Sequence, residues 1–196
     1  MPNPFPDIIG KIAFDPKIGS THQHFDGAVL VRRFKTYSLD TDTTFDKTAI
    51  GGALTAAVEP VSSVRLVATG FYSSGGGRYI SNTNLPDLII NHDASMTLVT
   101  TWSSLIGTEI QAASKTSLYA YYSAAHATRT VSTDVDGSTI GFGVPGSTAA
   151  NERIVEATAG LIHTFFATRR SAAFNSWGSN SYLRRTPFSV PRWHAG

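Results

Sequence analysis

Alternation of apolar and polar residues is the dominant pattern of this chain. In the segment TLVTTWSSLIGTEIQ, one face of a strand would carry Leu98, Trp102, Ile106 and Ile110. The opposite face would carry polar side chains, which are Thr101, Ser103, Glu109 and Gln111. Because successive side chains of a strand point to opposite faces, this pattern predicts a long strand with one apolar and one polar side.

Two other segments show the same alternation. In HQHFDGAVLVRR the apolar face would hold Phe25, Val29 and Val31, and the polar face would hold His22, His24, Asp26 and Arg32. In VEATAGLIHTFFA the apolar face would hold Val155, Ala157, Ala159, Leu161 and Phe165, opposed by Glu156, Thr158, Gly160 and Thr164. These segments are therefore also predicted to be long strands.

Five further strand candidates bring the predicted number to about eight: IIGKIAFD, KTAIGGALTAAVE, SVRLVATGFYS, TSLYAYYSAAHATRT and AAFNSWGSNSYLRR. Tight connections such as EPVSS and QAASKTS alternate with longer polar ones, namely KTYSLDTDTTFD, SSGGGRYISNTNLPDLIINHDAS and STDVDGSTIGFGVPGSTAANE. Short turns at one end and long loops at the other are typical of an up-and-down transmembrane β-barrel. With no repeat or linker, the prediction is an all-β, antiparallel barrel or partial barrel, a single domain over residues 1–196.

Composition adds few constraints to this prediction. Sixteen Lys and Arg against fourteen Asp and Glu give the 196-residue chain a net charge of +2, too slight a basic excess to indicate nucleic acid. The absence of cysteine excludes disulfides and thiolate metal sites. No run of 18 apolar residues predicts a transmembrane helix. The start, MPNPFPDIIG, lacks the pattern of a signal peptide, which suggests a cytoplasmic protein, a mature chain or a fragment.

Aromatic residues cluster near the predicted strand ends. They are Tyr72, Tyr79, Trp102, Tyr119, Tyr121, Tyr122, Phe165, Phe166, Trp177 and Tyr182. Membrane barrels place such rings in girdles at the two membrane interfaces. Aromatic residues are also good strand formers in any sheet, so each one fits both interpretations equally.

Several segments together resemble a known family. FPDIIGKIAFDPKIGSTHQHFD, ATGFYSSGGGRYI, LPDLII, KTSLYAYYSAAHATR, ANERIVEATAGLIHTFF and NSYLRRTPF resemble, in order from about Phe5 to Phe188, the C-terminal half of large bacterial outer-membrane porins. The resemblance implies an antiparallel barrel in the bacterial outer membrane that lets small solutes diffuse passively. Family members also carry a signal peptide, a preceding half-barrel and a final strand with a terminal aromatic, whereas this sequence runs from MPNPFP to TPFSVPRWHAG.

The size of the inward side chains bears on how such a barrel would close. An eight-stranded barrel has an interior just wide enough for side chains to fill. The inward faces here are mostly Gly, Ala, Ser and Thr, which would fill it poorly and suit a wider pore. We therefore expect either a missing N-terminal barrel half or closure with other copies as a homo-oligomer. Membrane lipid and small solutes are the other expected partners.

Charged and polar residues on the inward faces are the candidate site. The predicted pore-lining residues are Lys11, Arg32, Arg65, Arg78, Glu109, Gln111 and Glu156. Such groups set ion selectivity when they face a water-filled pore. Arg78 follows the glycine run Gly75–Gly77, which lacks the Lys and Ser/Thr of a phosphate-binding loop and is expected in a long loop at the pore mouth.

Other functions have weaker support in the sequence. No Gly-x-Ser-x-Gly motif or plausible triad is present, so no enzymatic activity, catalytic residue or cofactor is expected. His22 and His24 complete no metal-ligand set, and the Asp134, Asp136 and Gly137 pattern of a calcium loop lacks its twelfth-position Glu and is better explained as a hairpin turn. The alternative function is a soluble all-β sandwich acting as a binding or structural shell module.

Overall fold

A computed structural model describes residues 4–80, 83–147, 150–168 and 171–188, without the side chains of 165–168 and 171–177. The chain is all-β. Its strands are β1 (Ile8–Phe14), β2 (Lys17–Ile18), β3 (Thr21–Ser38), β4 (Thr43–Val61), β5 (Val64–Ser74), β6 (Leu88–Ile90), β7 (Met96–Leu98), β8 (Thr100–Ala113), β9 (Thr116–Ala127), β10 (Thr130–Thr133), β11 (Thr139–Phe142), β12 (Asn151–Thr168) and β13 (Ser171–Pro187). One turn of 3-10 helix spans Gly77–Tyr79. Within the described ranges, no helix has the length and apolarity needed to cross a membrane.

Nine strands form one antiparallel sheet. Its order is β1-β3-β4-β5-β8-β9-β12-β13, with the short β2 paired to β3. The eight strands of this path are the eight predicted from alternation. The remaining strands form two hairpins, β6-β7 and β10-β11, inside the two longest connections of the sheet. The prediction of an all-β antiparallel fold with about eight long strands is therefore confirmed.

The strand order ends at β1 and at β13 in the described part of the chain. β1 and β13 are the first and last strands of the path, and in the described part of the chain neither pairs with the other. β1 is paired on one side with β3, and β13 on one side with β12. Among the described residues, the outer sides of β1 and β13 therefore have no strand partner.

Cross-strand register divides the sheet into two faces. In an antiparallel pair, directly opposite residues point to the same face. The face that includes Ile106 carries large, exposed apolar side chains from every strand of the path: Ile8, Ile12, Phe14, Phe25, Val29, Val31, Ile50, Leu54, Leu66, Tyr72, Ile110, Leu118, Tyr122, Leu161 and Tyr182. We call this the apolar face. It bears no Asp, Glu, Lys or Arg within 25–31, 50–58, 64–72, 102–110, 118–126 and 155–161.

The opposite surface, which we call the polar face, has a different composition. It carries Lys11, His24, Asp26, Arg32, Thr55, Arg65, Thr69, Ser103, Glu109, Ser123, Glu156, Thr158 and Ser181 among small residues such as Ala28 and Ala53. Ile9, Ile162 and Leu183 are exceptions on this face. The predicted alternation is thus confirmed from Thr101 to Gln111 of β8, and in β3 and β12 wherever side chains are described.

Two sequence-based expectations about the connections were wrong. Leu98 does not continue the apolar face of β8, because β7 ends at Leu98 and the chain breaks its pairing at Val99, whose N–H donates to Asp87 O. The predicted long loop KTYSLDTDTTFD is mostly strand, since β3 runs to Ser38 and β4 begins at Thr43. Threonine, tyrosine and phenylalanine favour strands there, and the turn is closed by Asp42 in a left-handed conformation, with φ of 50°.

The aromatic residues of the predicted girdle do not share one direction. Tyr72, Trp102, Tyr122 and Tyr182 point to the apolar face. Tyr119 and Tyr121 point to the polar face, and Tyr79 belongs to the 3-10 turn outside the sheet. The side chains of Phe165, Phe166 and Trp177 lie outside the described residues.

Candidate functional site

The connection between β5 and β8 folds back over the polar face. We call residues 75–80 and 83–99 the inner segment. Its apolar side chains pack in two clusters: Ile80, Leu85, Ile89 and Val99 with Ala127 of β9, and Leu88 and Met96 with Phe34 and Ala49 of β3 and β4. The molecule's buried core therefore lies between the sheet and this segment, and the segment narrows the space in front of the polar face.

The glycine run permits the close approach of the inner segment. Gly75, Gly76 and Gly77 are all buried. A Cβ at Gly75, where φ is +85°, would lie 2.5 Å from the Cβ of Ala49, and a Cβ at Gly76 would lie 2.7 Å from Ser73 Oγ. Gly75 and Gly76 are thus packed against the sheet at the start of the segment. Gly77 is packed against the segment itself, since a Cβ there would lie 2.5 Å from Pro86 O.

Arg32 anchors the inner segment to β3. Its side chain is fully buried, and its Nη1 donates to Gly75 O at 2.7 Å and lies 2.9 Å from Asp87 Oδ1. Nε lies 2.9 Å from Asp7 Oδ2, an ion-pair contact whose angle does not suit a hydrogen bond. The guanidinium also stacks 4.7 Å from the ring centre of Phe34. Since a buried charge needs such compensation, this cluster fixes where the segment sits.

Two residues next to Gly77 extend the anchor. Arg78 is exposed, and its Nε donates to Asp87 Oδ2 at 2.6 Å. The hydroxyl of Tyr79 donates to Asp7 Oδ2 at 2.6 Å. Burial raises the pKa of Tyr79 above its ordinary value, and this hydrogen bond raises it further. Asp7 and Asp87 therefore each bridge Arg32 to a residue of the 3-10 turn.

The connection between β9 and β12 forms a second layer. Its hairpin β10-β11 turns at Asp134–Ser138, with Gly137 at φ +82°, as the Asp-Gly pair predicts. β11 contacts β6, and a Cβ on Gly141 would lie 3.1 Å from Ile89 Cδ1. Two long connections thus converge over the polar face at one end of the sheet.

The other half of the polar face is an open polar wall. Arg65 Nη1 lies 3.4 Å from Glu109 Oε2 across β5 and β8, and Tyr121 of β9 donates its hydroxyl to the same carboxylate. Ser117 donates to Gln111 Oε1 at 2.8 Å. These residues line a hollow of about 370 Å³ near the short turns. Arg65, Glu109 and Gln111 are thereby brought together, as neighbours on one wall.

Another cluster of polar side chains, centred on His24, lies nearer the β1 edge of the polar face. His24 stands between Asp15 Oδ1, 2.5 Å from Nδ1, and Asp26 Oδ2, 2.9 Å from Nε2. Lys11 Nζ contacts the same Asp26 oxygen at 3.1 Å. In this cluster both carboxylates are compensated by a cationic or hydrogen-bonding side chain.

The predicted pore-lining residues therefore fall into distinct places. Lys11, Arg65, Glu109, Gln111 and Glu156 lie on the open polar face, where Thr158 donates to Glu156 Oε1 at 3.1 Å. Arg78 lies exposed on the inner segment. Arg32 shares the polar face but lies beneath that segment and does not reach open space. Sequence analysis missed Asp7 and Asp87, because the local pattern does not show that Arg32 is buried and therefore needs carboxylate partners.

Metal-ligand geometry is not found in the described part of the chain. No group of three His, Asp or Glu side chains there is placed to hold an ion. Asp134 and Asp136 instead accept hydrogen bonds from their own turn: Asp134 from the backbone N–H of Val135, and Asp136 from that of Ser138.

The chain was compared with known protein families, curated proteins and solved structures, and it matches none of them. Its resemblance to outer-membrane porins therefore rests on the residues alone.

Proposed function

We propose that this chain forms part of the wall of a porin-like β-barrel pore, through which small polar solutes diffuse passively across a bacterial outer membrane. The observation that carries the proposal is the apolar face. This face consists largely of isoleucine, leucine, valine and phenylalanine side chains, such as Ile12, which is 81% exposed, and Leu54, which is 73% exposed. No described part of the chain packs over it. An exposed apolar surface this continuous suits lipid far better than water.

The height of the apolar face fits a bilayer. From Trp102 to Ile110 of β8, the strand covers about 27 Å at ~3.4 Å per residue. At the tilt of ~40° usual in membrane barrels, this gives a band of about 20 Å, close to the ~25 Å band of known barrels. The first charged side chains beyond the band towards the long connections are Arg33 and Lys35 on β3, Asp46 on β4, Arg153 on β12 and Arg184 on β13. Such an arrangement matches a hydrocarbon layer bounded by headgroups.

The polar face suits a water-filled lumen. Its open wall bears both signs of charge, with Lys11 and Arg65 against Glu109 and Glu156. The inner segment and the β10-β11 hairpin fill part of the space in front of it. These features favour small hydrophilic solutes over large or apolar ones, and a passive pathway needs no catalytic residue or cofactor.

A pore of this kind requires a partner sheet. A sheet in hydrocarbon cannot leave backbone groups unpaired, because each would cost several kcal/mol. The partner is either a further barrel half or another copy of this chain. β1 and β13 are the first and eighth strands of an alternating path and so run in opposite directions. The β13 edge of this sheet can therefore pair antiparallel with the β1 edge of another copy, or with a similar edge of a further barrel half. All long connections then lie at the same end of the barrel.

Two such sheets would suit a conducting pore. They would supply about sixteen strands, the number at which barrels enclose an aqueous channel. The decisive measurement is the mass of the detergent-solubilised particle together with its single-channel conductance. A monomeric, plugged and non-conducting particle would contradict the wide-pore proposal.

A matched pair of serines tests which face meets lipid. Ser103 and Ser104 are neighbours on β8, and they point to the polar and the apolar face respectively. The chain has no other cysteine, so spin labels can be placed on Ser103→Cys and Ser104→Cys alone. The label at 103 should be more accessible to a water-soluble relaxing agent, and the label at 104 should be more accessible to oxygen. Equal accessibility of both positions, or stable solubility without detergent, would favour the alternative of a soluble all-β module.

A further inference from the structure

A hollow of about 810 Å³ opens on the apolar face between β8, β9, β12 and β13, close to the long connections. We propose that this hollow binds the phosphate headgroup of an anionic membrane lipid. The inference rests on the proposed membrane location and adds a specific lipid site to it. It is carried by the register of four strands and by the charges that meet there.

The shape of the hollow follows from three rows of side chains. Trp102, His126, Arg153 and Thr186 lie opposite one another across the four strands. Four residues further from the long connections, a parallel row contains Ile106, Tyr122, Ala157 and Tyr182. The row between them contains only Ser104, Ala124 and Val155 before it ends in Arg184. Small side chains between two rows of large ones leave the depression.

The charges of the hollow favour an anion. Arg153 and Arg184 both line it, both are exposed, and neither forms an ion pair with a described residue. Glu152 is the one carboxylate among the described residues of its lining, so the balance there is two guanidinium groups against one carboxylate. Guanidinium groups bind phosphate through paired N–H donors, which makes two neighbouring arginines a suitable phosphate site.

The surroundings favour a lipid over a free anion. Trp102 stacks on His126 with ring centres 5.8 Å apart at the edge of the hollow, where membrane proteins place aromatic side chains at the headgroup level. Directly below, Tyr122 and Ile106 continue the exposed apolar face, against which acyl chains would lie. A phosphate tethered to acyl chains satisfies both parts of this surface, whereas a soluble phosphate would leave the apolar part uncovered.

Trp102 supplies the probe for the test. In a Trp177→Phe, Trp193→Phe background it is the sole tryptophan of the chain. The protein is placed in phosphatidylcholine vesicles containing a minor fraction of phosphatidylglycerol, and either lipid carries brominated acyl chains that quench tryptophan. Quenching should show phosphatidylglycerol enriched about fivefold beside Trp102, the effect of about one net positive charge near an anionic surface.

Three variants test whether the enrichment of phosphatidylglycerol depends on the charged residues of the hollow. Arg153→Gln with Arg184→Gln should abolish the enrichment, and Glu152→Gln should increase it, a gain that misfolding cannot produce. Arg33→Gln with Lys35→Gln is the matched control, since it removes two positive charges from the same end of the same face, on β3, with four strands of the path between it and β12. The enrichment should survive this change.

The outcomes separate this inference from the proposed function. Equal quenching by both brominated lipids would overturn the lipid site but leave the membrane location standing. Loss of enrichment in the β3 control would show a general charge effect and also overturn it. Displacement of the enrichment by inorganic phosphate would indicate a site for a soluble anion. No quenching by either lipid would overturn both proposals, because Trp102 would not face a bilayer.

Discussion

The ring edge of Tyr121 occupies the space in which a side chain at Gly107 would begin, since a Cβ there would lie 2.0 Å from Tyr121 Cδ1. The two residues are directly opposed on β8 and β9 and point to the polar face. Tyr119 and Gly160 repeat the relationship on β9 and β12. In each pair an aromatic ring covers a neighbouring glycine, which pins the register of the strands and keeps the rings close to the wall.

Gly107→Ala should therefore destabilise the protein by about 1–3 kcal/mol, the usual result of inserting a methyl group where none fits. Gly70→Ala is the matched control on the adjacent strand β5, because the nearest atom to its new Cβ would be Ser103 O at 4.0 Å. Denaturant unfolding in detergent compares the two variants. Equal stability would show that Tyr121 moves aside freely.

Arg32→Met should release the inner segment, because Asp7 would lose its ion pair and Asp87 would keep only Arg78. Removal of one partner of a buried ion pair costs about 3–5 kcal/mol. Trypsin should then cut after Arg78 much faster than in the unaltered protein.

The neighbouring Arg33 provides the control for this experiment. Its side chain points to the opposite face and contacts Asp46 at 3.4 Å, with both side chains about half exposed. Arg33→Met should change stability by only ~0–1 kcal/mol. If both variants were cut after Arg78 at the same rate, the buried ion pair would not be what holds the segment.

The anchor should also loosen in alkali. Because burial and the bond to Asp7 raise the pKa of Tyr79, its neutral form stabilises the folded segment fully below the ordinary tyrosine pKa near ~10, and that stabilisation is lost as pH rises through the folded pKa. The difference in absorbance at 295 nm between the unaltered protein and Tyr79→Phe measures this titration. Asp7→Asn should bring the pKa down towards that of free tyrosine, and an unchanged titration would rule out the bond to Asp7 as a contributor.

Edge pairing between chains can be tested with two single-cysteine variants. Ile12 on β1 and Asn180 on β13 both point to the apolar face. If sheets join head to tail, a bis-maleimide linker should join Ile12→Cys chains to Asn180→Cys chains in a mixture and should join neither variant to itself. A cross-link within one chain carrying both substitutions would instead show that the sheet closes on itself.

The strands were predictable from sequence because alternation is a local property. The pattern around Ile106 or Val29 is complete within one strand. Such patterns identified all eight strands of the path, and for β3, β8 and β12 they also identified the two faces. The register of Trp102 with His126 and Arg153 was not predictable, since it depends on turn geometry and pairing between distant segments. The hollow beside Trp102 therefore became visible only in three dimensions.

The packing of the inner segment, in contrast to the strands, was not predictable from sequence. Its glycines were expected in a loop at the pore mouth, yet Gly75 and Gly76 are buried against Ala49 and Ser73. Arg32 looked like a wall residue because its place in the alternation is polar, and that place is correct. What local pattern could not show is that a connection more than forty residues away covers it, because packing between connections and sheet leaves no periodic signal.

The neighbour-to-neighbour order of the sheet has a consequence for how the chain folds. Most strand pairs form across short turns, such as the two residues between β4 and β5. The pairings β5–β8 and β9–β12 must instead close over residues 75–99 and 128–150, which costs about 2 kcal/mol more in chain entropy than a two-residue turn. Three groups of strands, 8–74, 100–127 and 151–187, can therefore form early and independently. Their docking, accompanied by collapse of the intervening connections onto the polar face, then sets the rate of folding.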